Sequence, residues 1–202
     1  MSIHLRTGVA ADAAVIHGLI SANVNTGHLL PRSLEDVRDH AHRFIVAVEG
    51  DREEDEVVIG CAELAPLSES VAEVRSLVVD EARRGRRTGM SLLTALAERA
   101  RTLGYLTLCA FTHQPSLFVR LGFSIVPHQW VPEKIAHDCA GCSQFRHCGQ
   151  YAVSLSLRAG AGLRLPEGFG AAPRTVAPPR ASVERLRLEP ITSADEAERV
   201  PA

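Results

Sequence analysis

One segment restricts the architecture more than any other. "VAEVRSLVVD", residues 71–80, alternates apolar and polar positions as a half-buried strand does. "MSLLTALAERA", 90–100, repeats its apolar residues at helical spacing. Only "EARRGRRTG", 81–89, lies between them. A long strand running into a long helix through so short a turn points to a mixed α/β domain built on one sheet. The turn is unusual in composition, with four arginines and two glycines in the seven residues from Arg83 to Gly89. A helix start leaves about four backbone N–H groups unpartnered and carries partial positive charge. Glycine lets a ligand come close to that backbone, so the turn suits an anion, phosphate best of all. A solvated basic loop is the alternative, and spacing alone does not separate the two.

The surrounding chain makes the cluster more informative. Formal net charge is −2 over 202 residues, so the arginines do not express general basicity. With six Phe, two Tyr and one Trp, the composition also argues against a nucleic-acid binder. No apolar run approaches the roughly 18 residues of a membrane span, and the N-terminus lacks a basic-then-apolar signal. A cytoplasmic protein without membrane partners is expected.

The remaining pattern supplies the other elements. Residues 3–7 read as a strand and Asp12–Asn25 as a helix with Asp12 at its N-cap. "SLEDVRDHA" opens a second short helix with Ser33 and Asp36 in capping-box spacing. "RFIVAVEG" and "VVIGCAELAPL" read as strands joined by an acidic turn, "GDREEDE". "GYLTLCAFT" is a further strand, "PSLFVRLGF" a short helix ending in glycine, and "SIVP" and "QYAVSLSLR" the last strands. Beyond Arg158 the composition shifts, and six of the eleven prolines fall in 159–202. The expected organisation is a domain over 1–158 and a mostly disordered Pro/Ala/Arg-rich tail over 159–202.

Several residues stand out chemically. Alternation nominally puts Val71, Glu73, Arg75, Leu77 and Val79 on one strand face. A carboxylate at mid-strand among apolar neighbours is a natural proton acceptor. It is equally a partner for Arg75, about 6–7 Å further along the strand. Both roles can hold together, because a nearby guanidinium keeps a carboxylate ionised. Of 22 basic residues the sole lysine is Lys134, so that position calls for a compact ammonium or reflects chance. Cys61 and Cys109 fall within apolar strands, as buried small residues do. Cys139, Cys142 and Cys148 cluster with His137 and His147 nearby, a set that reads as structural or redox-sensitive thiols, or as a zinc site.

"LVVDEARRGRRTGMSLL" resembles the acetyl-coenzyme-A signature of the GNAT acetyltransferase superfamily, with Arg84, Gly85 and Gly89 in register and Arg87 where that family usually has glycine. "GHLLPRSLEDV", "GCAEL", "EVRSLVVD", "LGFSIVP" and "VPEKIAHDCAGCSQFRHC" follow in the order and spacing of the short N-acetylglutamate synthases, where the second motif typically reads "GCAAL". This resemblance covers about 155 residues and implies a largely antiparallel central sheet flanked by helices. It further implies acetyl-CoA as co-substrate, lying along Leu77, Val78 and Val79 and across Arg84, Gly85, Arg86, Arg87, Thr88, Gly89 and Met90. L-glutamate is the implied acceptor, and the reaction would open arginine biosynthesis. Glu73 stands where the general base stands in those enzymes, and Thr112 where a hydroxyl meets the departing sulfur, with His113 its rival. An exposed Arg32 is implied to grip the acceptor, with Lys134 near the other contact region and Leu30, Ser33, Arg75 and Ser76 around them. Another amino acid or small amine as acceptor, or a regulatory domain whose coenzyme site Arg87 has impaired, are the competing readings. The resemblance is compatible with a homodimer, since such domains often pair.

Overall fold

In the computed structural model of the protein, residues 2–24, 29–51, 55–142 and 145–158 are described, all within a compact unit spanning Met1–Glu167. Asn25, residues 52–54 of the acidic turn and the tail beyond 158 lie outside the described residues.

Seven strands form one sheet in the order β1-β2-β3-β4-β5-β7-β6. They are β1 Ile3–Thr7, β2 Phe44–Glu49, β3 Val57–Pro66, β4 Val71–Val79, β5 Thr107–Thr112, β6 Ser124–Val126 and β7 Tyr151–Ser156. Every neighbouring pair is antiparallel except β4 and β5. The mixed α/β class and the mostly antiparallel sheet are therefore as expected.

Helices cover both faces. α1 (Ala13–Val24) and α2 (Leu34–Asp39) turn Ala13, Ile16, Ile20 and Val37 onto Phe44, Val46 and Val48 of β2. α3 (Thr88–Thr102) lays Leu92, Leu93, Leu96 and Ala100 on the opposite face, against Ala47, Ile59, Ala72 and Val74. Because both faces are covered, β2 is buried at every position and reads as a continuous apolar run up to Glu49. α4 (Ser116–Arg120) adds Phe118 to the α3 side. α5 (Pro132–Lys134) continues as a π-turn through Ile135–Cys139. The sequence pattern gave no warning of that turn, since helices of three to five residues carry no measurable periodicity.

Two expectations are corrected. Asp12 ends a short 3-10 turn instead of capping α1. Its carboxylate accepts the Val9 N–H at 2.8 Å and pairs with both Nη atoms of Arg6. The single face expected for β4 is also broken. Between Cys61 and Glu63 of β3, two steps are matched by three steps of β4, from Val78 to Arg75. The extra residue is a bulge at Ser76, whose φ is +50°. Past it, Leu77 and Val79 join Ala72 and Val74 on the α3 face, while Val78 crosses to the α1 side. Glu73 and Arg75 keep the α1-side parity, so a one-residue insertion separates the apolar half of the strand from its charged half.

The parallel pair carries the feature that positions the site. β4 and β5 are joined only from Val71↔Thr107 to Glu73↔Cys109. Beyond that rung β4 runs on to Val79 and β5 to Thr112 without pairing to each other, so the sheet opens into a cleft with Glu73 at its foot.

Candidate active site

At the upper end of the cleft lies the arginine turn. After β4 a short 3-10 turn, Glu81–Arg83, is capped by Asp80, whose carboxylate accepts the Ala82 N–H at 2.8 Å. Gly85 then takes φ +87° and Arg87 φ +61°, and α3 begins at Thr88. The left-handed residue before the helix explains why glycine suits position 87. An arginine there keeps the geometry at a cost of order 1 kcal/mol. The departure from the family pattern is therefore a matter of backbone strain, with the turn itself intact. Thr88 is buried, and its hydroxyl has no partner among the described residues. Gly89 approaches Val79 and Leu117, and even a Cβ added there would stay 3.7 Å from them.

The four arginines have separate duties. Arg83 and Arg86 hold the two oxygens of the buried Glu49, at the end of β2, each at 2.7 Å. Arg84 donates to the Val79 carbonyl at 3.3 Å and to the Asn23 side chain at 3.0 Å. Arg87 is exposed. Open helix amides, a left-handed approach, an orphaned threonine hydroxyl and flanking guanidiniums are together what a phosphate group needs. The residues here fit a diphosphate.

At the foot of the cleft the charges are paired. Glu73 is 2% exposed. Its Oε2 accepts from Arg75 Nε at 2.5 Å, and its Oε1 lies 2.7 Å from Lys134 Nζ. Lys134 also donates to Asp138 Oδ2 at 2.8 Å, and Arg75 Nη2 donates to that same oxygen. Glu73, Lys134, Asp138 and Arg75 thus close a ring in which each charge touches two of opposite sign. Burial works against the Arg75 charge, but the attraction and hydrogen bond of Glu73 outweigh it and raise its pKa. Burial likewise opposes ionised Asp138, yet the Lys134 hydrogen bond and both cations win and hold its pKa below 3.8. The Lys134 ammonium sits 5.5 Å from the centre of the Phe111 ring, a cation–π contact.

Glu73, Arg75 and Lys134, separated by up to 61 residues, are therefore brought together. Asp138 completes the set and went unread in the sequence. Its signal was the i, i+4 spacing in "KIAHD", which puts it beside Lys134 on one helical face.

Arg32 is not exposed as expected, with its side chain only 17% accessible. Its Nη1 donates to Glu63 at 2.6 Å and its Nε to Asp36. Glu63 is itself 1% exposed and sits opposite Arg75 in the β3–β4 register. This is the residue by which "GCAEL" departs from "GCAAL", and a charge in the middle of an apolar strand was the available signal. Ser33 is committed to capping α2, its hydroxyl accepting the Asp36 N–H at 3.1 Å. Leu30 is 66% exposed.

Thr112 stands three residues beyond the Glu73↔Cys109 rung, about 10 Å along β5. Its hydroxyl accepts the Gln114 N–H at 3.0 Å, leaving its proton free to be donated. Beside the ring opens a cavity of about 470 Å³, lined by Leu30, Phe111, His128, Lys134 and Asp138 together with all three clustered cysteines. Burial raises the pKa of Cys139, and none of the three is bonded to another. Among the described residues no group of three His, Cys, Asp or Glu is arranged to hold a metal ion.

Residues 21–123 match the sequence profile of the Acetyltransferase (GNAT) family. An uncharacterized N-acetyltransferase of Chlorobaculum tepidum is 28% identical over 153 residues, which are 76% of this chain and 96% of that one. The fold superimposes on N-acetylglutamate synthase of Neisseria gonorrhoeae, solved with coenzyme A and N-acetyl-glutamate, with TM-score 0.68 at 23% identity. That match takes in 79% of this chain and 36% of the larger Neisseria chain. A Mycobacterium tuberculosis protein solved in complex with CoA aligns over 77% of this chain and 99% of its own, with TM-score 0.64 and 23% identity. No helix among the described residues is long and apolar enough to cross a membrane.

Proposed function

The chain belongs to the GNAT acetyltransferase family, and from that premise we propose that it acetylates the α-amino group of an amino acid, L-glutamate first among the candidates, using acetyl-CoA. The observation that carries this reading is the paired ring at the foot of the β4–β5 cleft, in line with an anion-binding helix start at its top. Acetyl-CoA supplies an acetyl thioester, and the amides of Thr88 and Gly89 with the guanidiniums of Arg84 and Arg87 would hold its diphosphate. Glu73 receives the proton that an ammonium of pKa roughly 9–10 must lose before it can attack, directly or through water. Arg75 and Lys134 pair with that carboxylate and hold it in place. Lys134, at the cavity edge, also offers charge to the acceptor's carboxylate. Thr112 donates its hydroxyl proton toward the departing sulfur. Such a reaction would stand at the start of arginine biosynthesis.

A second reading changes the acceptor. Arg32, implied by the resemblance to grip glutamate, is held here by Glu63 and Asp36. Its commitment to buried Glu63 favours a neutral amino acid, which brings one carboxylate instead of two. Mass spectrometry of products from acetyl-CoA and the twenty amino acids tests both readings. N-acetylglutamate as the main product supports the first, and an acetylated neutral amino acid supports the second. Acetylation of none would end both.

A further inference from the structure

Asp138 has no part in the proposed chemistry, yet it occupies the place best suited to an acceptor. It lies on the π-turn Ile135–Cys139, a geometry often found where function needs it. Its side chain is 30% exposed, while the Glu73 side chain behind it is 3% exposed. One oxygen, Oδ2, takes hydrogen bonds from both Lys134 Nζ and Arg75 Nη2. Of the four ring members, Lys134 and Asp138 line the 470 Å³ cavity. A molecule entering the cavity therefore meets a carboxylate already seated on the two cations it would seek.

We propose that Asp138 is a built-in stand-in for the acceptor's carboxylate, displaced from Lys134 and Arg75 when an amino acid binds. This rests on the reading of the cavity as the acceptor site. The exchange is isoelectric at the ring, because one carboxylate leaves the two donors as another arrives. Neither cation is ever left unpaired, so the cost of an isolated buried charge is avoided. The empty site stays neutral and rigid, and it accepts carboxylates only at the expense of Asp138. Asp138 is thus a specificity and positioning residue that sets affinity and does not handle protons.

Asp138→Asn removes the competing charge while keeping the size of the side chain. Binding of glutarate, a dicarboxylate without an amine, is measured by calorimetry, and the KM and kcat for the preferred amino acid are measured alongside. The variant is expected to bind glutarate about tenfold more tightly, equivalent to about 1.4 kcal/mol. KM should fall with it. kcat should change little, because in the bound complex the acceptor's carboxylate occupies Lys134 and Arg75 whether or not Asp138 is present. Asp138→Ala should shift glutarate affinity in the same direction. Glu98→Gln, which removes an equal charge at the far end of α3, should leave it unchanged. Unchanged or weaker glutarate binding in both Asp138 variants would overturn the proposal, as would equal tightening in Glu98→Gln. Tighter glutarate binding in a protein that acetylates no amino acid would keep the carboxylate seat and remove the acetyltransferase reading of the cavity.

Discussion

The two ends of the cleft solve the handling of charge in opposite ways. At the arginine turn Arg83 and Arg86 are paired with Glu49, while Arg87 is exposed, in a left-handed conformation that arginine tolerates poorly. At the foot, Glu73, Arg75, Lys134 and Asp138 are drawn from distant segments and fully paired with one another. On the proposed reading, the arginine turn takes a phosphate group from water and releases it. The paired end makes a ligand displace something before it binds, and so it discriminates.

Substitutions sharpen this contrast, the largest effect first. Lys134→Met leaves Glu73 with Arg75 alone and strips the cavity edge of its ammonium. A drop of about 10²-fold in kcat/KM for the amino acid is expected, with KM for acetyl-CoA unchanged, because loss of one partner of a buried pair costs about 3–5 kcal/mol at most. A matching rise in KM for acetyl-CoA would show that the two ends are not separate. Salt should divide them next. Screening acts on exposed charges and spares buried ones, so raising ionic strength from about 0.05 to about 0.5 M should raise the KM for acetyl-CoA several-fold. The KM for the acceptor should move less. Equal sensitivity would contradict the burial of the ring.

Arg87→Gly gives a smaller effect with two readouts. Relief of the positive φ should raise the free energy of unfolding by roughly 0.5–1 kcal/mol, since glycine adopts that conformation without strain. Loss of the guanidinium should weaken acetyl-CoA about threefold, the scale of one exposed ionic contact. A stabilised variant with tighter acetyl-CoA binding would mean that Arg87 obstructs the site.

Acid stability is the mildest test. Asp12 is held below its ordinary pKa first by the Arg6 hydrogen bond, and Asp138 by Lys134 and Arg75 against the opposing effect of burial. A carboxylate with a lowered folded pKa stabilises the fold above its unfolded value near 3.8 and loses that contribution as pH falls through the folded value. The urea midpoint should therefore decline below about pH 4, and less steeply in Asp12→Asn.

The same contrast explains what the sequence could disclose. The turn is contiguous, so its glycines, arginines and following helix were legible from one short stretch as a candidate anion site, with a solvated basic loop as the alternative. The order of the strands and longer helices was legible for the same reason, each carrying its own period, whereas the three-residue α5 and its π-turn were not. The ring was legible only in pieces. Glu73 and Arg75 stood out two residues apart, but nothing local ties them to Lys134, 61 residues away, or to Asp138. The bulge at Ser76 was invisible because it arises from a mismatch between two strands, and its result was the mistaken shared face of Leu77 and Glu73. Arg32 looked exposed beside Pro31 because burial by Glu63, from another strand, has no local mark.

The central claim is that Glu73, at the foot of an opening aimed by the arginine turn, takes the proton from an amino-acid nitrogen. Release of CoA thiol from acetyl-CoA, followed with and without the preferred amino acid in the natural protein and in Glu73→Gln, tests it most directly. Thiol release that depends on the amino acid and falls at least tenfold in the variant is the predicted result. Release without an acceptor, or turnover undiminished in Glu73→Gln, would contradict it.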